Sequence, residues 1–463
     1  MRGVWSTLAL VLAAAGLGAY IYFVDSERPE TEAKAKVFAV EADAIEEIRV
    51  VAKGETSLLR KSNGTWAMVE PIATDVDQNE VSALVSGLAG LEENREVEPN
   101  AGNLAEFGLA EPKADISFKA AGGVAGRVRL GDQTPTAGDM YAVKDDGSRV
   151  FLVATFTENT LARSSFDLRD KRVLRFERDK ADGLEITNAT GTIILNRADS
   201  VWRLTGPTSA RGDYGAIEGV LTKLSTTMMA AIAAPEVKDP VAWGFDKPVA
   251  TVVVKTGSSA ATLVLGTTVA GKAFARDLSR AMVFTVDESM VTDMIRPAAE
   301  YRRKEVFDAR GFSAREVVLT RGAQTVTLAK VKGAGENAAE KWTVTVAGDG
   351  AFATRDADAA AADDLLTKLT GLRATTFAST APAGATPVLR AAIQFDEKSR
   401  EEVAFARQGT TVAATRADEA GTATLEAPPF DEMLKAVDAV IAPPAPPTPP
   451  AAAPAAATPE KKQ

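Results

Sequence analysis

GTWAMVEP, the stretch from Gly64 to Pro71, is written more than once in this chain. It returns as SVWRLTGP from Ser200 to Pro207, and more loosely as KWTVTV from Lys341 to Val346. The three tryptophans of these stretches lie 136 and 140 residues apart. Because short solenoid repeats have periods of roughly 20–50 residues, a period of this length predicts a repeated domain.

Each copy predicts the same local structure around its tryptophan. In the first copy, Asn63-Gly64 is a two-residue hairpin signal that leads into the Trp66 strand. Pro71 ends that strand because proline has no N–H for the ladder. An amphipathic helix follows, with an aspartate at its N-cap and apolar residues at i, i+3, i+4 and i+7. The predicted caps and stripes are Asp77 with Val81, Leu84, Val85 and Leu88; Asp213 with Ile217, Val220, Leu221 and Leu224; and Asp358 with Ala362, Leu365, Leu366 and Leu369.

A second shared motif follows the helix. FGLAEP (Phe107 to Pro112) in the first copy matches WGFDKP (Trp243 to Pro248) in the second, and a strand ending in Leu-Gly comes after both. An aromatic residue and a glycine before proline predict a buried turn that leads into a strand. Only Pro387 survives in the third copy, so we expect the turn there to be built differently. The full set of structural repeat markers is Trp66, Pro71, Asp77, Gly108, Pro112, Gly131, Trp202, Pro207, Asp213, Gly244, Pro248, Gly266, Trp342 and Asp358.

The predicted fold class is α+β. We expect an N-terminal transmembrane helix followed by three tandem repeats, each with antiparallel strands and an amphipathic helix on one face. About three domains is also what a length of 463 residues suggests. The predicted divisions are residues 1–36 (membrane anchor and juxtamembrane linker), 37–172 (repeat 1), 173–305 (repeat 2), 306–440 (repeat 3, divergent) and 441–463 (disordered tail rich in proline and alanine).

The N-terminal segment is predicted to bind membrane lipid. Residues 4–24 carry no charged side chain, and about 20 apolar residues cross a hydrocarbon core of about 30 Å. Arg2 precedes the segment and the stretch 25–32 is acidic, so the positive-inside rule places the N-terminus in the cytoplasm and the bulk of the chain outside. A cleaved signal peptide is the alternative, but its apolar core would exceed the usual length of about 7–15 residues.

The composition argues against several classes of function. The chain has no histidine and no cysteine, so the commonest general base, the commonest metal ligand and any thiolate nucleophile are missing. It has no phosphate-binding loop and no Gly-x-Ser-x-Gly motif. A net charge of −10, with both signs mixed along the chain, does not suit a nucleic-acid surface. We therefore expect no enzyme activity, no cofactor, no metal and no nucleic-acid partner.

Five charged stretches have structural interpretations that we prefer to functional ones. Asp75 to Asn79 begins like a calcium loop, but helix capping explains it better. Arg211 to Asp213 matches an integrin tripeptide, although Asp213 already has a capping role. The adjacent carboxylates Asp363 and Asp364 are expected at the solvated surface. The charged runs Arg169 to Arg172 and Arg302 to Glu305 are interpreted as solvated connectors with their alkyl stems packed on the next repeat, and a recurring docking site is the alternative.

The order of these motifs resembles the bacterial family catalogued as domain of unknown function 4340. The resemblance rests on Phe107 to Pro112, Leu130-Gly131, Tyr141 and Leu168 to Lys171. It covers nearly all of residues 40–310 in two copies and fades in the third. Members typically carry an N-terminal membrane segment and tend to be encoded beside ABC-type transport systems of the gliding-motility auxiliary kind. The family has no established catalytic residues, so the resemblance implies membrane anchoring and leaves no site residue to transfer.

These observations favour a non-catalytic, extracytoplasmic accessory or scaffold protein of the inner membrane, in an assembly linked to an ABC transporter. Consecutive repeats present a long lateral surface, which suits binding. Two alternatives stay open. One is a periplasmic module that binds a ligand or glycan in a pocket with aromatic walls. The other is an envelope hydrolase that uses two carboxylates about 5–10 Å apart.

Overall fold

The computed structural model of the chain describes residues 34–442, except 137, 146, 333–338, 349–350 and 396–398. The predicted membrane segment, residues 4–24, and residues 443–463 of the predicted tail therefore lie outside the described residues. Within the part of the chain that is described, none of the helices combines the length and the hydropathy that a membrane crossing needs.

Three nine-stranded sheets follow one another along the described chain. The strands of the first are β1 (Ile45–Ala52), β2 (Glu55–Ser62), β3 (Thr65–Glu70), β4 (Thr74–Asp75), β5 (Arg95–Glu98), β6 (Ala114–Ala120), β7 (Ala125–Gln133), β8 (Asp139–Lys144) and β9 (Val150–Ala154). Those of the second are β10 (Gly183–Asn188), β11 (Gly191–Ala198), β12 (Val201–Gly206), β13 (Ala210–Arg211), β14 (Ala231–Ala234), β15 (Ala250–Thr256), β16 (Ser259–Val269), β17 (Lys272–Asp277) and β18 (Val283–Asp287). Those of the third are β19 (Glu316–Arg321), β20 (Gln324–Lys332), β21 (Glu340–Gly348), β22 (Ala351–Asp356), β23 (Thr376–Ala378), β24 (Thr386–Gln394), β25 (Arg400–Gln408), β26 (Thr411–Arg416) and β27 (Thr422–Glu426).

All three sheets have one topology. The first has the order β4-β3-β2-β1-β6-β7-β8-β9-β5, and the other two repeat it with β10–β18 and β19–β27 in the corresponding places. Neighbouring strands are antiparallel, as in the pairs β1–β6, β10–β15 and β19–β24 at the centre of each sheet. Three copies of one strand order support the predicted tandem repeats. By compactness the chain divides between Arg172 and Val173, with the first sheet in one unit and the second and third sheets in the other.

Helices lie between the strands and after the last strand of each sheet. They are α1 (Gln78–Ala89), α2 (Phe156–Leu161), α3 (Ser165–Leu168), α4 (Tyr214–Thr226), α5 (Pro240–Trp243), α6 (Glu288–Met294), α7 (Ala359–Thr370) and α8 (Ala427–Ile441). A short 3-10 turn precedes the first strand of each sheet, at Ala42–Ala44, Arg178–Lys180 and Gly311–Ser313. α1, α4 and α7 are the helices that follow the tryptophan strands β3, β12 and β21.

These three helices and the tryptophan strands form the cores of the repeats. Every residue of the three predicted apolar stripes is at most 5% exposed. Trp66, Trp202 and Trp342 are 5%, 1% and 8% exposed, and in the first and third repeats the stripe and the tryptophan belong to one hydrophobic cluster. Burial of each leucine of a stripe stabilises the fold by about 1.5–3 kcal/mol, so the helix–strand contact is a large term in each repeat.

An aspartate caps each of the three helices. The Asp77 carboxylate accepts the N–H of Asn79 at 2.9 Å, so the calcium-like stretch acts as a cap. The carboxylates of Asp213 and Asp358 accept the N–H of the third helical residue, at 2.7 and 2.9 Å. Each cap satisfies an N–H that has no partner inside the helix and contributes about 1 kcal/mol.

The aromatic-glycine motif and the Leu-Gly strand ending form one structural unit. Gly108 and Gly244 adopt φ values of 67° and 74°, in the left-handed region where glycine is unstrained. Gly131 and Gly266 then pass so close to the turn that a β-carbon would lie 2.1 Å from the carbonyl oxygen of Phe107 and 2.0 Å from that of Trp243. Two motifs more than twenty residues apart are therefore needed for one contact.

The third repeat differs from the other two at two loop positions, and its missing motif predicts one of these differences, the turn before Pro387. The peptide bonds before Pro71 and Pro207 are cis, and two-residue strands follow in the first two repeats, whereas the third has the six-residue β22. In place of the close glycine contact, the Gln408 amide donates a hydrogen bond to the carbonyl of Ala383 at 2.6 Å. The turn that leads into the central strand, β6, β15 or β24, is therefore held by a glycine contact in the first two repeats and by a glutamine hydrogen bond in the third.

Gly266→Ala should destabilise the second unit by about 1–3 kcal/mol, because the new methyl group would collide with backbone rather than with a flexible side chain. Gly219→Ala is the matched control. Gly219 lies within α4 with open space at its β-carbon, so alanine there should be neutral or stabilising by up to about 1 kcal/mol. Calorimetric unfolding of both variants checks this. Equal stability of the two variants would contradict the close contact.

Asp167 holds the end of the first unit through a capping box. It accepts the N–H of Ser164 at 2.9 Å and a hydrogen bond from Lys53 at 3.0 Å, and its own N–H donates to the Ser164 hydroxyl. Burial alone would raise the pKa of Asp167, but the hydrogen bonds from Ser164 and Lys53 outweigh it and lower the pKa to about 2. The ionised form is thus favoured by folding.

Asp167→Asn should lower the free energy of unfolding of the first unit by about 1–2 kcal/mol at pH 7. A carboxyl group whose pKa is lowered by folding stabilises the fold when the pH is above its unfolded pKa of 3.8. This stabilisation is lost as the pH falls through the folded pKa of about 2. The difference between wild type and variant should therefore shrink below about pH 4 and vanish below about pH 2. Hydrogen exchange of the first unit measures this difference in the free energy of unfolding. A difference that stays constant from pH 7 to about pH 2.5 would contradict the lowered pKa of Asp167.

Candidate functional site

The repeat markers hold the fold together rather than gather into one site. The tryptophans are buried, the aspartates Asp77, Asp213 and Asp358 cap helices, and the paired glycines allow close approach of two segments. Two other features have the charge or the open space that a functional surface needs. One is the junction between repeats 2 and 3, and the other is a groove beside Trp342.

Residues 302–306 form the connector between repeats 2 and 3. The backbone of this connector is hydrogen-bonded to both of the repeats that it joins. On the side of repeat 2, Arg303 donates its N–H to the carbonyl of Arg211 at 2.9 Å. On the side of repeat 3, Val306 donates to Leu372 at 3.0 Å, and Ala374 donates to Lys304 at 2.7 Å. A further backbone bond of 2.8 Å runs from Ala420, in the β26–β27 turn, to Ser209. The connector is therefore part of the structure on both sides.

Buried charges reinforce this junction. The Glu419 carboxylate of repeat 3 receives hydrogen bonds from two arginines of repeat 2, Arg211 and, at 3.1 Å, Arg302. The side chains of all three are at most 7% exposed. Arg211 also donates to Asp308 at 2.9 Å and to the carbonyl of Glu305 at 2.8 Å. The Arg302 guanidinium lies 4.0 Å above the Phe377 ring, a cation–π contact.

A second arginine–carboxylate pair continues the cluster inside repeat 3. Arg416 donates to Glu401 at 3.1 Å and to Asp418 at 2.9 Å, and Glu401 accepts the N–H of Asp308 at 2.7 Å. Burial alone would lower the pKa of Arg416, but hydrogen bonds from this guanidinium to Asp418 and Glu401 raise it. We call Arg211, Arg302, Arg416, Glu401 and Glu419 the ion cluster. A cavity of about 20 Å³ beside Arg211, Arg302, Arg416 and Glu419 has room for roughly one water.

The position of these residues corrects one expectation from sequence and gives a role to one residue that sequence reasoning did not use. The charged runs at the ends of repeats 1 and 2 are not simply solvated, because Arg169 is only 2% exposed and Arg302 only 6%. Burial lowers the pKa of Arg169, while the nearby Glu55 carboxylate opposes that effect. Sequence reasoning also gave no role to Arg211, the first residue of the integrin-like tripeptide. It is 5% exposed and committed to the ion cluster, so the tripeptide is unavailable for recognition.

The tryptophan of repeat 2 is enclosed by charged neighbours. Its indole N–H donates to Glu218 of α4 at 3.0 Å, and Arg178 donates to the other carboxylate oxygen at 3.0 Å. Arg197, opposite Trp202 on β11, lies 5.5 Å from the ring and 3.8 Å from Glu218. Glu218 thereby joins α4, the 3-10 turn and the tryptophan strand.

Repeat 3 keeps the tryptophan strand, the helix and the 3-10 turn of this arrangement, but not the side chains that fill the space between them in repeat 2. Five residues after the capping aspartate, where repeat 2 has Glu218, repeat 3 has the shorter Asp363. At the first residue of the 3-10 turn, where repeat 2 has Arg178, repeat 3 has Gly311. Lys330 replaces Arg197 opposite the tryptophan and lies 5.2 Å from the ring of Trp342. An open groove of about 630 Å³, the Trp342 groove, lies beside these residues.

Sequence reasoning placed Trp342 in a strand and Asp363 at the solvated surface, and missed that they line one groove. A signal was present, because Glu218 and Asp363 stand at the same distance from their capping aspartates. Asp363 is one methylene group shorter than Glu218. This difference gains meaning only once the structure shows that Glu218 accepts hydrogen bonds from Trp202 and Arg178.

Three sheets of one topology define a tandem-repeat α+β protein, and buried ion pairs join the second sheet to the third. The chain belongs to a family described as "Domain of unknown function (DUF4340)", whose sequence profile matches residues 66–241 and 202–391. The second match extends past Trp342 into β24, so family similarity reaches further into the third repeat than the motifs suggest.

Comparisons with other proteins add little. No curated protein matches the chain. Two crystal structures of the DNA polymerase sliding clamp from Pseudomonas aeruginosa, one of them with ligand, align at 9% sequence identity and a TM-score of 0.15. The alignments cover 85% and 84% of this chain and 94% and 92% of the clamps. A TM-score of this size carries no argument about fold or function.

Glu419→Gln should destabilise the second unit by about 3 kcal/mol, because it leaves two buried arginines without their shared charge. Glu402→Gln is the matched control in the same repeat. Glu402 is 41% exposed and bonds Arg390 at the surface, so its loss should change the free energy of unfolding by less than about 0.5 kcal/mol.

Hydrogen exchange of the Ala420 N–H reports on the junction directly, since this N–H bonds to Ser209 of repeat 2. Its exchange should accelerate in Glu419→Gln and stay unchanged in Glu402→Gln. Equal behaviour of the two variants would show that the ion cluster does not hold the repeats together.

Proposed function

We propose that this protein is a non-catalytic accessory subunit, anchored in the cytoplasmic membrane by residues 4–24. Its repeats lie outside the cytoplasm and act as a scaffold in an assembly linked to an ABC-type transporter. The partners are membrane lipid, through the anchor, and membrane proteins of that assembly, through the surface of the repeats.

The observation that carries this proposal is the ion cluster between repeats 2 and 3. Burying two arginines on one glutamate is a weak way to gain stability, because desolvation offsets much of the attraction. A buried ionic contact does fix one arrangement of the groups that it joins, since any other arrangement leaves a buried charge unpaired. A fixed spacing between neighbouring repeats is what a scaffold requires.

The chemistry of the chain supports the same proposal. Without histidine or cysteine, acid–base or nucleophilic catalysis would depend on other groups, chiefly carboxylates. The two buried carboxylates at the junction, Glu401 and Glu419, are both held by arginines. Arginine N–H groups therefore already occupy oxygens of both carboxylates. These carboxylates therefore serve the contact between repeats.

The charge distribution at the N-terminus supports the orientation. Arg2 precedes the apolar segment and acidic residues follow it, which is the arrangement of a segment with its N-terminus in the cytoplasm. A periplasmic ligand-binding module is the second candidate function, and the Trp342 groove is the specific observation in its favour.

The absence of native cysteine allows a direct test of this orientation. A single cysteine at Val241, which is 67% exposed in repeat 2, should react with a membrane-impermeant maleimide in intact spheroplasts. A single cysteine at Gly3, before the apolar segment, should react only after lysis. The reverse pattern, or reaction of neither residue before lysis, would contradict an extracytoplasmic location of the repeats.

The transporter link is tested by crosslinking in cells, followed by purification and mass spectrometry. Full-length protein should recover transporter subunits. A form that lacks residues 1–26 but carries a cleavable export signal should recover fewer of them, because the anchor places the repeats beside the membrane. Recovery of envelope polymer alone, or identical recovery by the two forms, would overturn the scaffold proposal.

A further inference from the structure

We propose that the Trp342 groove of repeat 3 binds an acidic saccharide, a sugar ring that carries a carboxylate. This is a ligand site beyond the scaffold function, and it stands on the geometry of repeat 3 alone. The groove is open to solvent and has a volume of about 630 Å³, within the range of about 300–1,000 Å³ usual for small-molecule sites.

The groove exists because two side chains that fill the corresponding space in repeat 2 are absent from repeat 3. In repeat 2, Arg178 and Glu218 bond to each other and fill the space beside Trp202. In repeat 3 their places are taken by Gly311 and Asp363, which both line the groove. The rest of the frame is kept: Lys330 approaches the Phe312 carbonyl at 3.5 Å, as Arg197 approaches that of Asp179 at 3.0 Å. The space is therefore a local difference on a shared scaffold.

The charges that line the groove are available for a ligand. Among the described residues, Arg310, Lys330 and Asp363 form no ion pair with one another or with other side chains, whereas Glu218 in repeat 2 is bonded by two groups. Arg310 and Lys330 give the groove an excess of one positive charge over Asp363. A ligand carboxylate would gain charge-assisted hydrogen bonds from these two cations.

The uncharged lining suits a sugar ring. Phe312 is 84% exposed at the edge of the groove, where its flat apolar face can cover the C–H face of a saccharide. The Trp342 indole N–H, bonded to Glu218 in the Trp202 counterpart, becomes a donor for a ligand hydroxyl. Thr367 of α7 is exposed along the groove and adds a hydroxyl.

Asp363 distinguishes an acidic saccharide from a simpler anion. A carboxylate beside two cations would repel an acetate-like or phosphate-like ligand that offers no donors. By contrast, the Asp363 carboxylate can accept hydrogen bonds from the hydroxyls of a sugar, which have protons to donate. The combination of two cations, one acceptor carboxylate and an exposed aromatic ring therefore favours a hexuronate over a bare anion or a neutral sugar.

The test uses full-length protein in lipid nanodiscs and three probes, followed by ligand-observed NMR titration. Glucuronate carries both ring and charge, glucose carries the ring alone, and acetate carries the charge alone. Glucuronate should bind with a dissociation constant on the order of 1 mM, as expected for a ligand of its size, and about tenfold more tightly than either other probe. Equal binding of acetate and glucuronate would overturn the proposal, as would no binding of glucuronate.

Three variants locate the site. Phe312→Ala and Lys330→Gln should each weaken glucuronate binding by about tenfold. Phe352→Ala is the matched control, because Phe352 is 75% exposed on β22 and does not line the groove, and this variant should bind like wild type. Equal affinity of Phe312→Ala and Phe352→Ala for glucuronate would place the binding elsewhere.

The double variant Gly311→Arg with Asp363→Glu transfers the closed arrangement of repeat 2 into repeat 3. A β-carbon at Gly311 would meet Leu366 at 3.4 Å, an ordinary contact, so the fold should tolerate the change. Binding should be abolished while the unfolding temperature is kept or raised. Retained glucuronate binding in this folded variant would contradict a site in the Trp342 groove.

Discussion

The contact between the tryptophan strand and the helix that follows it is the constraint on which each repeat depends. A nine-stranded sheet must cover one apolar face, and α1, α4 and α7 each do so with a four-residue stripe that is fully buried. The aspartate cap fixes where each helix begins, and the period-2 pattern of the strand fixes which face meets it. The tryptophan strand is the second strand from one edge of each sheet, and the remaining strands extend the sheet from it.

This local dependence explains what the sequence could predict. Caps, stripes and strand-ending prolines act over a few residues, so their repetition identifies three α+β units even where identity between copies is low. The close approach of Gly131 to Phe107 could be suspected, because both belong to motifs that recur together, but the distance required a structure. The junction could not be predicted, since Glu419 is more than 200 residues from Arg211 and nothing local marks either as buried.

The two candidate functional features lie where the repeats differ from one another. The ion cluster needs Arg211, whereas the corresponding position before the cap is Asp75 in repeat 1 and Asp356 in repeat 3. The Trp342 groove needs Asp363 and Gly311 in place of Glu218 and Arg178. In this account the shared residues build the frame, and substitutions at a few positions on that frame give a rigid junction in one place and an open groove in another.

Rigidity of the second unit is the central claim, and a distance measurement by pulsed electron paramagnetic resonance tests it most directly. Spin labels on cysteines introduced at Val241 in repeat 2 and Phe352 in repeat 3 suit the experiment, because both positions are exposed and the chain has no other cysteine. The account predicts a single narrow distribution of distances that does not change with salt, since the ion cluster is buried. A broad or two-peaked distribution would show repeats that move independently, and would contradict a scaffold of fixed spacing.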